Sequence, residues 1–182
     1  MPSTDTSPAG PSRRAARWLW IAAGALLVAR VATGVLEERH PPAKPDFMNW
    51  VPADKAAAMS VASGKPILYD FSAEWCGPCQ AMAKEIFSDE KMAQSLSAMV
   101  IPVHVVDRQQ EDGRNSGLVD SLQRVHGVKA FPTLVVVDAD GKAAGHMEGY
   151  PGAQQTLRWI GENAAKTQLG RGHKAGVRLQ FP

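Results

Sequence analysis

The sequence predicts an α/β domain built on a central mixed β-sheet flanked by helices, preceded by one N-terminal transmembrane helix. Three observations carry this. Between residues 53 and 165 the segments run helix, strand, helix, strand, helix, strand, strand, helix, an α/β order. The last two strands are separated only by a tight turn, so part of the sheet is antiparallel. Ahead of them, the apolar run 18–36 would cover about 28 Å as a helix, close to the hydrocarbon thickness of a bilayer.

Residues 53–63 are Ala-rich and end in Gly64-Lys65-Pro66, a helix with a glycine stop and a proline beyond it. Residues 67–71 form a short apolar run, long enough for a buried strand. Cys76-Gly77-Pro78-Cys79 follows and opens a helix to about Glu85, and residues 89–97 continue as a second helix. Residues 99–106 read as a strand with Pro102 near its start. Residues 107–117 are polar and loop-like. Residues 118–126 form a helix with Leu118, Leu122 and Val125 on one face. Residues 133–137 are a β-branched strand, Asp138-Ala139-Asp140-Gly141 a turn, and residues 143–148 the returning strand. Residues 153–165 form a closing amphipathic helix with Leu157 and Ile160 on its apolar face. Residues 166–182 mix glycine with basic residues and read as a basic flexible tail.

The net charge of +2 hides an asymmetry. Both ends are basic, whereas acidic residues outnumber basic ones between Lys44 and Glu162, and nothing demands a nucleic-acid partner. Residues 1–17, rich in Pro, Ser, Ala and Arg, read as a disordered cytoplasmic tail. Arg13, Arg14 and Arg17 before the 18–36 run keep that end in the cytoplasm, and Trp18 and Trp20 suit a membrane interface. Arg30 inside the run must snorkel. The competing reading is a cleaved signal peptide, with residues 18–29 as its apolar core and a small-residue site near Ala32-Thr33-Gly34. Either way the rest of the chain lies outside the cytoplasm. Residues 37–52 carry Pro41, Pro42, Pro45 and Pro52, a semi-rigid linker holding a domain at 53–165 off the membrane.

Cys76 and Cys79 are the only cysteines. That is too few for a disulfide-stapled fold, and the C-x-x-C spacing points to chemistry. Zinc takes about four ligands and no second C-x-x-C is present, so no metal is expected. At the strand-to-helix junction, unpaired N–H groups and the helix dipole stabilise a Cys76 thiolate, the expected nucleophile. Cys79, one turn further in and expected to be more shielded, attacks the mixed disulfide that Cys76 forms. Gly77 allows close approach of a partner's backbone, and Pro78 fits the first helical turn. Asp70 interrupts an otherwise apolar strand six residues before Cys76. A buried carboxyl of raised pKa there would take the Cys79 proton. The alternative places it on an edge strand facing solvent.

Residues 67–79, ILYDFSAEWCGPC, resemble the thioredoxin family's strand and active-site loop almost residue by residue. Phe131-Pro132-Thr133, Asp138-Ala139-Asp140-Gly141 and Gly149 are similar to its cis-proline, hairpin turn and late glycine. The resemblance, over about residues 53–165, implies the thioredoxin fold, a cis Pro132 beside the cysteines, a Phe131 backbone that pairs with extended substrate, Asp70 as buried proton acceptor, and Trp75 on the substrate surface. The segment after Cys79 lacks the family's helix-kinking proline. Glu85-Ile86-Phe87-Ser88-Asp89, Asn49-Trp50 and Gly64-Lys65-Pro66 instead look like the C-terminal domain of the membrane thiol:disulfide interchange proteins that carry electrons to the bacterial periplasm. Val103 takes the place of the family's lysine near the buried acid.

The expected function is a membrane-anchored periplasmic disulfide reductase in the cell inner membrane, or a secreted periplasmic one if the N-terminus is cleaved. It needs no cofactor beyond the Cys76–Cys79 pair. Its expected partners are disulfide-containing proteins, a membrane thiol electron donor and the membrane itself through residues 18–36. A disulfide oxidase or isomerase, and a non-enzymatic binding module, are the rivals.

Overall fold

A computed structural model describes Trp18 and residues 20–31 and 45–177, with side chains as far as residue 168. The chain divides into two compact units, Met1–Ala43 and Lys44–Pro182. In the first, Trp18 and residues 20–31 are helical with exposed side chains. Among the described residues, no helix is long and apolar enough to cross a membrane. The expected 18–36 span extends past the described stretch, and the expected tail at 1–17 and most of the linker at 37–52 also lie outside it.

The second unit is a four-stranded mixed sheet in the order β2-β1-β3-β4. β1 (Ile67–Ala73) is central and pairs parallel with β2 (Ile101–Asp107). On its other side β1 pairs antiparallel with β3 (Thr133–Val137), which pairs antiparallel with β4 (Ala143–Glu148). The β3–β4 turn closes as its residues dictate. Asp138 Oδ1 accepts the amide N–H groups of Asp140 and Lys142 at 3.0 and 2.9 Å, and Gly141 adopts φ 78°.

Successive side chains of β1 alternate across the sheet. Ile67, Tyr69 and Phe71 join Val103, Val105, Val135 and Val137 in one core layer. Leu68 joins Leu134, Val136, Met82, Ile86, Leu96 and Ile160 in the other. Both faces are covered, so each fully buried aliphatic side chain contributes roughly 2 kcal/mol. Helix α1 (Ala53–Ser63) stops at Gly64, φ 74°, whose N–H donates to the Ser60 carbonyl.

Helix α2 (Gly77–Met82) is six residues long and runs into a π-helical turn, Ala83–Phe87. The Ser88 N–H closes that turn on the Ala83 carbonyl at 2.9 Å. Ile86 and Phe87, the last two residues of that turn, are both buried. Helix α3 (Glu90–Met99) is capped by Asp89, whose carboxylate accepts the Met92 N–H. The segment expected as loop holds a short helix, α4 (Gln109–Asp112). On α5 (Gly117–Val125) the expected apolar face is corrected. Leu122 meets the core as expected, but Leu118 and Val125 are exposed and Val119 packs against the core with Leu122. The closing helix α6 (Ala153–Val177) is longer than expected. Residues 166–177, read from sequence as part of a tail, are helical. No proline interrupts them, and a glycine costs a helix only about 1 kcal/mol.

Candidate active site

β1 delivers the chain to Cys76, which caps α2, with Pro78 in the first helical turn. Cys76 and Cys79 are joined by a disulfide with Cα atoms 5.3 Å apart. The Cys79 N–H donates to Cys76 Sγ at 3.2 Å, a bond that strengthens once that sulfur carries charge. A Cβ at Gly77 would meet nothing within 4 Å, so no contact inside the chain requires glycine there. The two cysteines are about equally buried, Cys76 3% exposed and Cys79 6%, so the expectation that Cys79 is the more shielded is not met; Phe131 packs against the pair. Trp75, half exposed, stands edge-on to Phe131 with ring centroids 5.9 Å apart. The Phe131–Pro132 bond is cis, and the Pro132 carbonyl accepts the Gly149 N–H at 2.8 Å. Trp75, Phe131 and Cys76 therefore lie together, with Pro132 buried next to Phe131 in the chain.

Asp70 lies beneath. It sits on the central strand and is 1% exposed, so the edge-strand alternative fails. Neither carboxylate oxygen has a hydrogen-bond partner among the described residues. Burial, and then the nearby Asp46 charge, push its carboxyl up to about 7. A cavity of about 270 Å³ connects it with Cys79, Asp46, His104, Ala83 and Phe87. Its polar wall is tightly organised. His104 Nε2 lies 2.6 Å from Ser72 Oγ and 3.7 Å from Asp70 Oδ2. Trp50 stacks on the His104 ring at 4.8 Å and meets Phe87 edge-on at 5.0 Å. Trp50 Nε1–H donates to Asp46 Oδ2 at 2.7 Å, while Asp46 Oδ1 accepts the Met48 N–H. Burial lowers the His104 pKa, against the raising effect of Asp46. The imidazole is therefore neutral at neutral pH and its approach to Asp70 is no ion pair.

Sequence reasoning missed His104, Ser72, Asp46 and Trp50 as parts of this site. It also misplaced the residue facing the buried acid. Val103 pairs with Tyr69 on the opposite face, and His104 is the register partner of Asp70. A signal existed: His104 is the one polar ring in an apolar strand, and aligning Ile67 with Ile101 brings it beside Asp70. At the rim, Glu74 is held by Arg108, which also donates to Asp112 at 2.7 Å. Among the described residues no group of three or more metal-ligating side chains occurs.

A thioredoxin-like domain profile matches residues 53–164. The thiol:disulfide interchange protein DsbD of Actinobacillus pleuropneumoniae is 28% identical over 112 residues, covering 60% of this chain and 18% of that protein. DsbD of Yersinia enterocolitica is 31% identical over 106 residues, covering 57% and 17%. The chain thus spans less than a fifth of the length of these curated relatives. A solved thioredoxin from Thermus thermophilus superposes with TM-score 0.54 at 25% identity, over 70% of this chain and 95% of that one. DsbH oxidoreductase superposes with TM-score 0.56 at 24% identity, over 68% and 89%.

Proposed function

Because the chain belongs to the thioredoxin-like domain family, we propose that it is a membrane-anchored protein-disulfide reductase acting in the periplasm. The observation that carries this reading is the Cys76–Cys79 disulfide at a helix N-terminus, above a buried carboxyl that has no hydrogen-bond partner. In the reduced state the Cys76 thiolate attacks a substrate disulfide, forming a mixed disulfide and releasing one substrate thiolate. Cys79 gives its proton to Asp70 and attacks Cys76 Sγ. The Cys76–Cys79 bond forms, the mixed disulfide breaks, and the second substrate sulfur leaves as a thiolate. A thiol donor in the membrane then returns two electrons to the pair. The similarity to DsbD proteins supports such a donor and a periplasmic setting.

The substrate meets Trp75, Gly77 and Phe131. Phe131 and the cis Pro132 offer backbone to an extended segment, and specificity comes from the exposed aromatic pair. The Gly77-Pro78 dipeptide favours reduction over oxidation. Anchoring rests on the 18–36 run and the arginines before it.

Equilibration of the domain against glutathione or dithiothreitol buffers tests direction. A potential near the roughly −270 mV of thioredoxin supports the reductase, and one near the roughly −120 mV of a periplasmic oxidant replaces it with a disulfide donor. Fractionation of cells expressing the full chain tests the anchor. Recovery in the membrane with an intact N-terminus supports it, and a soluble periplasmic form beginning after residue 34 replaces it with a cleaved signal.

A further inference from the structure

We propose that His104 is a positioning residue of the active site, accepting through Asp70 the proton that Cys79 must lose and passing it along the cavity to solvent. The inference rests on the thiol–disulfide exchange reading above and goes beyond it. Asp70 is enclosed, and its oxygens have no hydrogen-bond donor among the described residues. The proton that Asp70 takes must either leave the cavity or wait until Cys79 is reduced again and recovers it. The charged and titratable groups lining its cavity are Asp46 ahead of α1, Glu74 after β1, Cys79 on α2 and His104 on β2. β3 presents only Leu134 as register partner. Glu74 is held by Arg108, and Asp46 accepts from Trp50 and Met48. Of these groups, His104 is brought to 3.7 Å from Asp70 Oδ2, with a side chain 35% exposed.

The geometry suits a relay. Nε2 rests on Ser72 Oγ at 2.6 Å and needs to move only about 1 Å to reach hydrogen-bond distance from Asp70 Oδ2, now 3.7 Å away. The Trp50 ring holds the imidazole plane while it moves. The proton balance is closed. Cys79 S–H gives its proton to the Asp70 carboxylate, the Asp70 carboxyl gives it to His104 Nε2, and the imidazolium releases it to water at the cavity mouth. Burial disfavours the imidazolium and keeps the ring neutral, leaving one ring nitrogen unprotonated, while Asp46 favours the transient cation.

The test uses the reduced full chain and an aromatic disulfide whose released thiolate absorbs visible light. The first release reports Cys76 attack, and the second reports Cys79 resolving the mixed disulfide. His104→Gln should slow the second release about tenfold or more at pH 7, and added imidazole, small enough for the cavity, should restore it. Ser72→Ala, which frees Nε2 without removing the ring, should shift the pH midpoint of the second release. A wild-type chain lacking two-step release would defeat the exchange reading itself. Two-step release that H104Q leaves unchanged overturns the His104 proposal. So does slowing that imidazole fails to restore, or, should H104Q not fold, an S72A profile identical to wild type.

Discussion

Asp70 Oδ2 and His104 Nε2 lie 3.7 Å apart across the parallel β1–β2 pair, with Asp70 1% exposed and without a hydrogen bond among the described residues. Two strands in register place an acid and a neutral base side by side in the wall of one cavity. A buried carboxylate so situated costs stability, and the fold tolerates it beneath the Cys76–Cys79 disulfide.

That cost has a pH signature. The Asp70 carboxyl rises from 3.8 to about 7 in the folded protein. Between those values the folded chain holds a proton that the unfolded chain has released. The stabilising effect is therefore full below about pH 4 and is lost as pH rises to about 7, by at most roughly 4 kcal/mol. Asp70→Asn carries no such titration. Urea midpoints of wild type and D70N should diverge across this window, with D70N the more stable at pH 8, and parallel curves would remove the buried-acid account. D70N should also slow the Cys79 step at neutral pH.

Cys79→Ser separates the two cysteine roles. Cys76 can still attack a disulfide, but nothing resolves the product, so a covalent adduct should accumulate on non-reducing gels while turnover falls to background. Cys76→Ser should form no adduct. If C76S traps substrate and C79S does not, the nucleophile has been misassigned.

Phe131 packs against the disulfide and stands edge-on to Trp75. Replacing it by alanine removes a large apolar contact from the proposed substrate surface. The KM for a protein disulfide should rise about tenfold, more than for a small disulfide that does not reach the ring. Equal effects on both would place Phe131 outside the recognition surface.

Gly145 on β4 faces α6 at close range. An added Cβ would lie 2.6 Å from Asn163 Cγ and 2.9 Å from Trp159 Cζ2. Asn163 is 3% exposed and donates to the Trp159 carbonyl at 2.8 Å, so it cannot simply swing away. Gly145→Ala should cost roughly 1–3 kcal/mol by urea unfolding. An unchanged midpoint would mean that α6 shifts freely over the sheet.

Much of this was legible in the chain because the signals were local. The glycine stop at Gly64, the Asp138–Gly141 turn and the β-branched run 133–137 each depend on residues within a few positions. The Cys76–Cys79 spacing likewise needs only one helical turn. The α5 face was misread because periodicity marks an apolar stripe without saying how far the neighbouring sheet reaches. The π-helical turn at Ala83–Phe87 was invisible, since no residue's own preference marks it.

By itself the sequence determined the α/β order, the cysteine pair and an acid inside an apolar strand, all set by spacing along one chain. Only the tertiary structure decided that Asp70 is central and not at an edge, that His104 and not Val103 faces it, and that Asp46 lines the same cavity while Trp50 stacks on His104. Those facts depend on strand order and register. Both are fixed by how two apolar layers close over the sheet, and a one-residue slip would turn every side chain to the other face.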